Sequence, residues 1–169
     1  MKTRKIVTGL LASMLGTLTA CGQLATMPEG KLLNVEYTES GTMAGFQFEG
    51  RVNTGKNGVV RMEVSSESYG PVVKKKVNAN VLDDLRKIIE EEKMYAYKEN
   101  YQPSFEVLDG ESWYFNAAFE NDKYISSGGS NAWPAGDGLK RIKGYLQSLI
   151  GDSKPAETNS ADETVENKE

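Results

Sequence analysis

The sequence predicts an α+β fold, a mostly antiparallel sheet with two helices packed on one face. Three observations carry this. Apolar residues alternate with the period of a strand over most of 33–77; the period lengthens to that of a helix near 80–92 and again near 139–150; and a second alternating pair lies between the two helical stretches. The order is therefore strands, helix, hairpin, helix, whereas a parallel α/β fold needs strands and helices to alternate one by one. At 169 residues the chain favours one domain over two.

The elements follow in order. Leu33, Val35 and Tyr37 share one face of the first strand. Phe46, Phe48 and Val52 share one face of the second, against Gln47, Glu49 and Arg51, and Val60, Met62 and Val64 mark the third. Glycine-rich turns at 41–45 and 55–58 join them into a meander. Residues 71–77 make a fourth strand. Pro71 opens it and has no N–H to donate, which places the strand at an edge, where Lys74, Lys75 and Lys76 discourage pairing with another chain. The first helix takes Asn80 as its cap and Asp83 and Asp84 near its positive end, with Val81, Leu82, Leu85, Ile88 and Ile89 as the apolar stripe. Asp83 with Lys87 and Arg86 with Glu90 are spaced as surface ion pairs. Tyr95, Tyr97 and Tyr101 crowd the segment that leaves this helix.

In the hairpin Trp113, Phe115, Ala117 and Phe119 alternate with Tyr114, Asn116 and Ala118. Asn121 and Asp122 turn the chain into the return strand at 123–129. Leu139, Ile142, Leu146, Leu149 and Ile150 then stripe the closing helix, with Gly144 on its exposed side.

Between the last strand and the last helix, residues 126–141 hold four glycines and Pro134. A phosphate loop needs Lys then Ser or Thr after its final glycine, and Gly138 is followed by Leu139; the dinucleotide pattern fails as well. Ser130 stands in a G-x-S-x-A setting similar to a nucleophile elbow, but the chain has no histidine to act as the base of a serine triad. The stretch therefore reads as a turn. Its glycines take positive φ, Pro134 fixes a corner, Asp137 caps the helix and Trp133 anchors the loop on the core. The start of that helix, with Lys140 and Arg141 beside it, can attract an anion.

With no histidine and one cysteine, zinc sites made from those ligands and most cysteine or serine hydrolases are excluded. What survives is a carboxylate pair, of which Asp109 and Glu111 are one candidate for glycoside hydrolysis, in a stretch that also reads as a loop turn into the Trp113 strand. No calcium loop occurs, and neither a metal nor a cofactor is implied.

The N-terminus says where the chain goes. Lys2, Arg4 and Lys5 precede an apolar run from Ile6 to about Leu18, which reads as a signal peptide over 1–20. Its end, Leu18-Thr19-Ala20-Cys21, resembles the lipobox of bacterial lipoproteins. That resemblance implies that Cys21 becomes the mature N-terminus and carries several acyl chains, each buried methylene contributing roughly 0.8 kcal/mol to membrane binding. It also implies a place in the cell envelope. Gly22 stands where an aspartate marks inner-membrane retention in that class, so the resemblance points to the outer membrane.

Cleavage takes the formal charge from −4 to about −7, which disfavours nucleic acid as a partner. Residues 21–30 read as a flexible tether of roughly 15 Å, and 31–150 as a single α+β domain. Residues 151–169, with six acids, two lysines and no aromatic, read as a disordered acidic tail.

Residues 113–149 resemble segments of small bacterial lipoproteins and secreted proteins, which brings no activity with it. Three functional classes then stand. First is a non-catalytic binding module for a glycan or a protein, using exposed aromatics among Tyr97, Tyr101 and Trp133, with Asn131. Second is a structural or assembly partner of an envelope complex. Third is a carboxylate-dependent hydrolase. The sequence leaves the oligomeric state open.

Overall fold

A computed structural model describes residues 25–41, 45–66, 70–105, 107 and 109–151. The signal peptide, Cys21 and the acidic tail from 152 onward lie outside the described residues. The elements run β1 (Leu32–Gly41), β2 (Gly45–Thr54), β3 (Val60–Ser65), β4 (Val73–Lys76), α1 (Asn80–Glu91), β5 (Asn100–Tyr101), β6 (Glu111–Phe119), β7 (Tyr124–Ser130) and α2 (Gly138–Ser148). They form one seven-stranded sheet in the order β4-β3-β2-β1-β6-β7-β5. Every pairing is antiparallel except the short one between β5 and β7. The α+β architecture is as the sequence predicts, with the β6–β7 hairpin docked against β1.

One core forms between the sheet and the helices. Val35, Tyr37, Phe48, Val52, Met62, Val64, Phe115 and Ala117 meet Leu85 and Ile89 of α1 and Ile142 and Leu146 of α2. Gly50 lets α2 approach, because a Cβ there would lie 2.7 Å from Leu146 Cδ1. Arg141 bridges back to α1 through Glu91 at 2.7 Å and Glu92 at 2.6 Å, and Tyr145 donates to Asp84 at 2.6 Å. These exposed ties align the helices more than they stabilise them. Among the described residues no helix is long and apolar enough to cross a membrane.

Four local expectations change. Leu32 is 4% exposed and Leu33 37%, because the register of β1 against β6 shifts between Leu32 and Asn34 and moves the inward position by one residue. The side chain of Phe46 lies outside the described residues. Asn80 is the first residue of α1 and not its cap; the Asn78 side chain accepts its N–H at 3.2 Å. The surface pairs also differ. Lys87 faces Glu91 at 3.8 Å, and Arg86 donates to the carbonyls of Gly30 at 2.7 Å and Pro28 at 3.4 Å while lying over the Phe119 ring. Finally, Met27 packs against the core, so the last residues of the expected 21–30 tether are docked on the domain.

Candidate functional site

β7 and α2 are joined by residues 131–137, and the fixing of this loop begins at β6. Ser112 and Ser130 are the last register pair of the β6–β7 ladder. Asn131, at φ 51°, then adds one rung of its own, its N–H donating to Glu111 O at 2.8 Å and its Oδ1 accepting the Glu111 N–H at 2.9 Å. Asparagine suits both tasks, since it tolerates the left-handed region and carries a side-chain acceptor. One residue on, the Ala132 carbonyl accepts from the Trp113 indole N–H at 2.8 Å. Trp113 is 3% exposed and packs on Tyr101, 5.7 Å between ring centroids, which in turn meets Tyr97 edge-on at 6.4 Å.

The loop glycines serve differently from the sequence expectation. Gly128 and Gly129 lie within β7, and only Gly136 takes a positive φ, at 93°. Gly129 is there for close approach, since its surroundings leave no room for a Cβ. Asp137 occupies the cap position of α2 without a side-chain cap bond. Ser130 is a ladder residue and not the tip of a strained turn.

Trp133 is the main correction. It is 46% exposed, so the aromatic that anchors this region on the core is Trp113. Trp133 instead stands between two hollows. One, of about 260 Å³, is lined by Tyr37, Glu39, Trp133, Pro134, Lys140 and Lys143 among others. The other, of about 90 Å³, is lined by Glu39, Ser40, Gln47, Glu111, Ser112 and Trp133. Glu39 is common to both. Its carboxylate accepts from the Tyr37 hydroxyl on one oxygen and from Lys143 on the other, and Lys143 rests over the Phe48 ring at 5.4 Å. Burial, and next the Glu39 carboxylate, push the Tyr37 phenol well above its ordinary range. The cleft therefore offers an aromatic face flanked by a fixed carboxylate, hydroxyls, an amide and cations.

The four residues expected to bind ligand thus divide. Trp133 lines the cleft; Asn131, Tyr101 and, beneath it, Tyr97 hold the backbone that carries it. Sequence reasoning missed Glu39, Gln47, Ser112 and Lys143. A signal was present for two of them. Glu39 continues the inward series Val35, Tyr37, and Lys143 follows Leu139 by four positions, so each is a charge on an apolar face. Of the carboxylate pair, Glu111 lines the smaller hollow, whereas Asp109 is exposed and lines neither. Among the described residues no group of three or more acidic or other ligating side chains is gathered as a metal site. In comparison with known proteins, the chain matches no family model and no curated protein.

Tyr97 gives a test of this support. Its hydroxyl is buried without a hydrogen-bond partner among the described residues, pressed by the start of α2 at Gly138. Burial, then the Glu92 carboxylate and Tyr101, push its pKa up to about 12. Below pH 10 the phenol is neutral in folded and unfolded chains alike. From there to about pH 12 the unfolded chain gives up the proton while the folded one keeps it, so stability falls as pH rises. Tyr97→Phe is expected to cost less than about 1 kcal/mol at pH 7, because the hydroxyl it removes is unpartnered. It should also lessen the loss between pH 10 and 12 in urea unfolding; Tyr37 and Tyr145, also raised, retain their share. A large loss at pH 7 would show that the hydroxyl has a partner.

Proposed function

We propose that the chain is a non-catalytic binding module of the cell envelope, held by lipid on Cys21, and that a saccharide docks in the cleft around Trp133. The observation that carries the reading is the half-exposed Trp133 indole, standing between two hollows whose walls carry Glu39, Gln47, Ser112 and Glu111. A sugar ring has an apolar C–H face that stacks on an indole and hydroxyls that donate to carboxylates and amides at its edge. The hollows are modest, which suits one or two sugar rings more than an extended polymer cross-section.

The position of the cleft accords with a lipid at Cys21. Arg86 and Glu120 hold residues 28–31 at the start of β1, and Glu39 and Ser40 stand at its other end. Ten strand residues span about 30 Å. Six residues reach roughly 20 Å at most, less than the length of β1, so a lipid at Cys21 would tether the domain by the end away from the cleft.

One experiment with two variants tests both parts. Cys21→Ser is expected to lose the acylated N-terminus by mass spectrometry and to leave the membrane fraction. Trp133→Ala is expected to remain in the membrane and to keep its stability in urea unfolding to within about 1 kcal/mol, since the side chain is half exposed. Its affinity for saccharide should fall about tenfold or more, as for loss of an aromatic anchor. A Trp133→Ala chain that binds as before overturns the cleft; a soluble wild-type chain overturns the anchor.

A further inference from the structure

Resting on the saccharide reading above, we propose that the ligand is an acidic saccharide, a sugar bearing a carboxylate, whose anionic group lies over Lys140 in the larger hollow. The charges of the cleft carry this. Lys143 is held by Glu39 and lies over Phe48, so its charge is already matched. Arg141, next to Lys140 in the chain, is turned to Glu91 and Glu92 on α1. Lys140 is exposed, lines the larger hollow with Trp133, and has no ion-pair partner among the described residues. In another hollow, against β4, the lining cation Lys74 is paired with Glu63 at 3.2 Å. Lys140 is thus the lining cation of these hollows with a charge left to give.

The smaller hollow is the opposite. Glu111 lines it with Ser40, Gln47 and Ser112, and no lysine or arginine among the described residues does, a set that accepts from hydroxyls and repels an anion. A ligand with a carboxylate at one end and neutral hydroxyls at the other is oriented by this asymmetry across the Trp133 ring. The chain carries a formal net charge of −4, so a local cation is what favours an anion at this surface. An ammonium–carboxylate contact at an exposed rim is also the kind that salt weakens.

The experiment titrates the full chain with a panel of carboxylated disaccharides, each beside its carboxyl-reduced neutral counterpart, read by tryptophan fluorescence. In the wild type the acid should bind about five- to tenfold more tightly at low salt, and the advantage should shrink toward nothing at about 0.5 M salt. In Lys140→Gln the two affinities should converge, and in Lys140→Glu the order should reverse, with the far-ultraviolet circular dichroism unchanged in both. A neutral sugar bound as tightly as its acid, or an acid advantage that survives in Lys140→Gln, overturns the proposal while the saccharide reading stands. Binding of neither sugar overturns the saccharide reading itself.

Discussion

Trp113→Ala is expected to destabilise the domain by about 3–5 kcal/mol, the range for emptying a buried aromatic site, and to abolish binding in the cleft that Trp113 never touches. The indole is 3% exposed, packed on Tyr101 and facing Gly129 across the β6–β7 ladder. Its loss removes that packing and strands the Ala132 carbonyl, which the indole N–H now satisfies at 2.8 Å. Because Ala132 immediately precedes Trp133, the loop that presents the binding ring is released at the same time. Trp113→Phe separates the two effects. It keeps a six-membered aromatic ring in the site and loses the donor with the pyrrole part of the indole, so stability should fall by about 1–3 kcal/mol. Urea unfolding followed by circular dichroism gives the stability and saccharide titration the affinity. If Trp113→Phe binds as the wild type does, the indole–carbonyl bond does not position Trp133.

The contrast between the two tryptophans shows how far the sequence could be read. Alternation placed Trp113 on the inward face of its strand, and the side chain is buried there. Trp133 lies in an irregular segment with no period, so its neighbours depend on which strands lie beneath the loop. That follows from the docking of the hairpin on β1, a pairing between residues about eighty positions apart that no local pattern encodes. The shift at Leu32 has the same origin. Taken alone, β1 alternates through Leu33, and only the opposing Phe119 end of β6 brings Leu32 inward. Periodicity was sufficient for α1, whose five stripe residues are all buried. It was not sufficient for Asn80, because either Asn78 or Asn80 has the chemistry to satisfy a helix N-terminus.

The site was legible in part. Aromatic crowding drew attention to Tyr97, Tyr101 and Trp133, and the first two support the third through Trp113. Composition could not distinguish the ring that is presented from the rings that carry it. Glu39 and Lys143 each break the apolar face of their own element, a signal that marks a charge out of place without saying what it faces. The two breaks explain each other only when β1 and α2 are placed together, where the carboxylate and ammonium meet beside Phe48.

Glycine 129 shows the same dependence on the partner strand and gives a sharp result. Two consecutive glycines in a strand read as a turn, yet Gly129 is an inward position of β7 opposite Trp113. A Cβ there would lie 2.5 Å from Ala132 O, 2.6 Å from Trp113 Nε1 and 2.9 Å from Tyr101 Cβ. It would press on both ends of the bond that positions the loop, and neither a backbone carbonyl nor a packed indole yields as the tip of a flexible side chain does. Gly129→Ala is therefore expected to cost about 2–4 kcal/mol, from overpacking together with the broken hydrogen bond, and to weaken saccharide binding through Trp133. Gly144→Ala is the matched control on α2, where nothing lies within 4 Å of the added methyl. There the same change should stabilise by up to about 1 kcal/mol, the helix preference of alanine over glycine. Urea midpoints of the two variants should therefore move in opposite directions. If Gly129→Ala unfolds at the wild-type midpoint, strand β7 has room to shift, and the close approach is not what holds Ala132 and Trp133 in place.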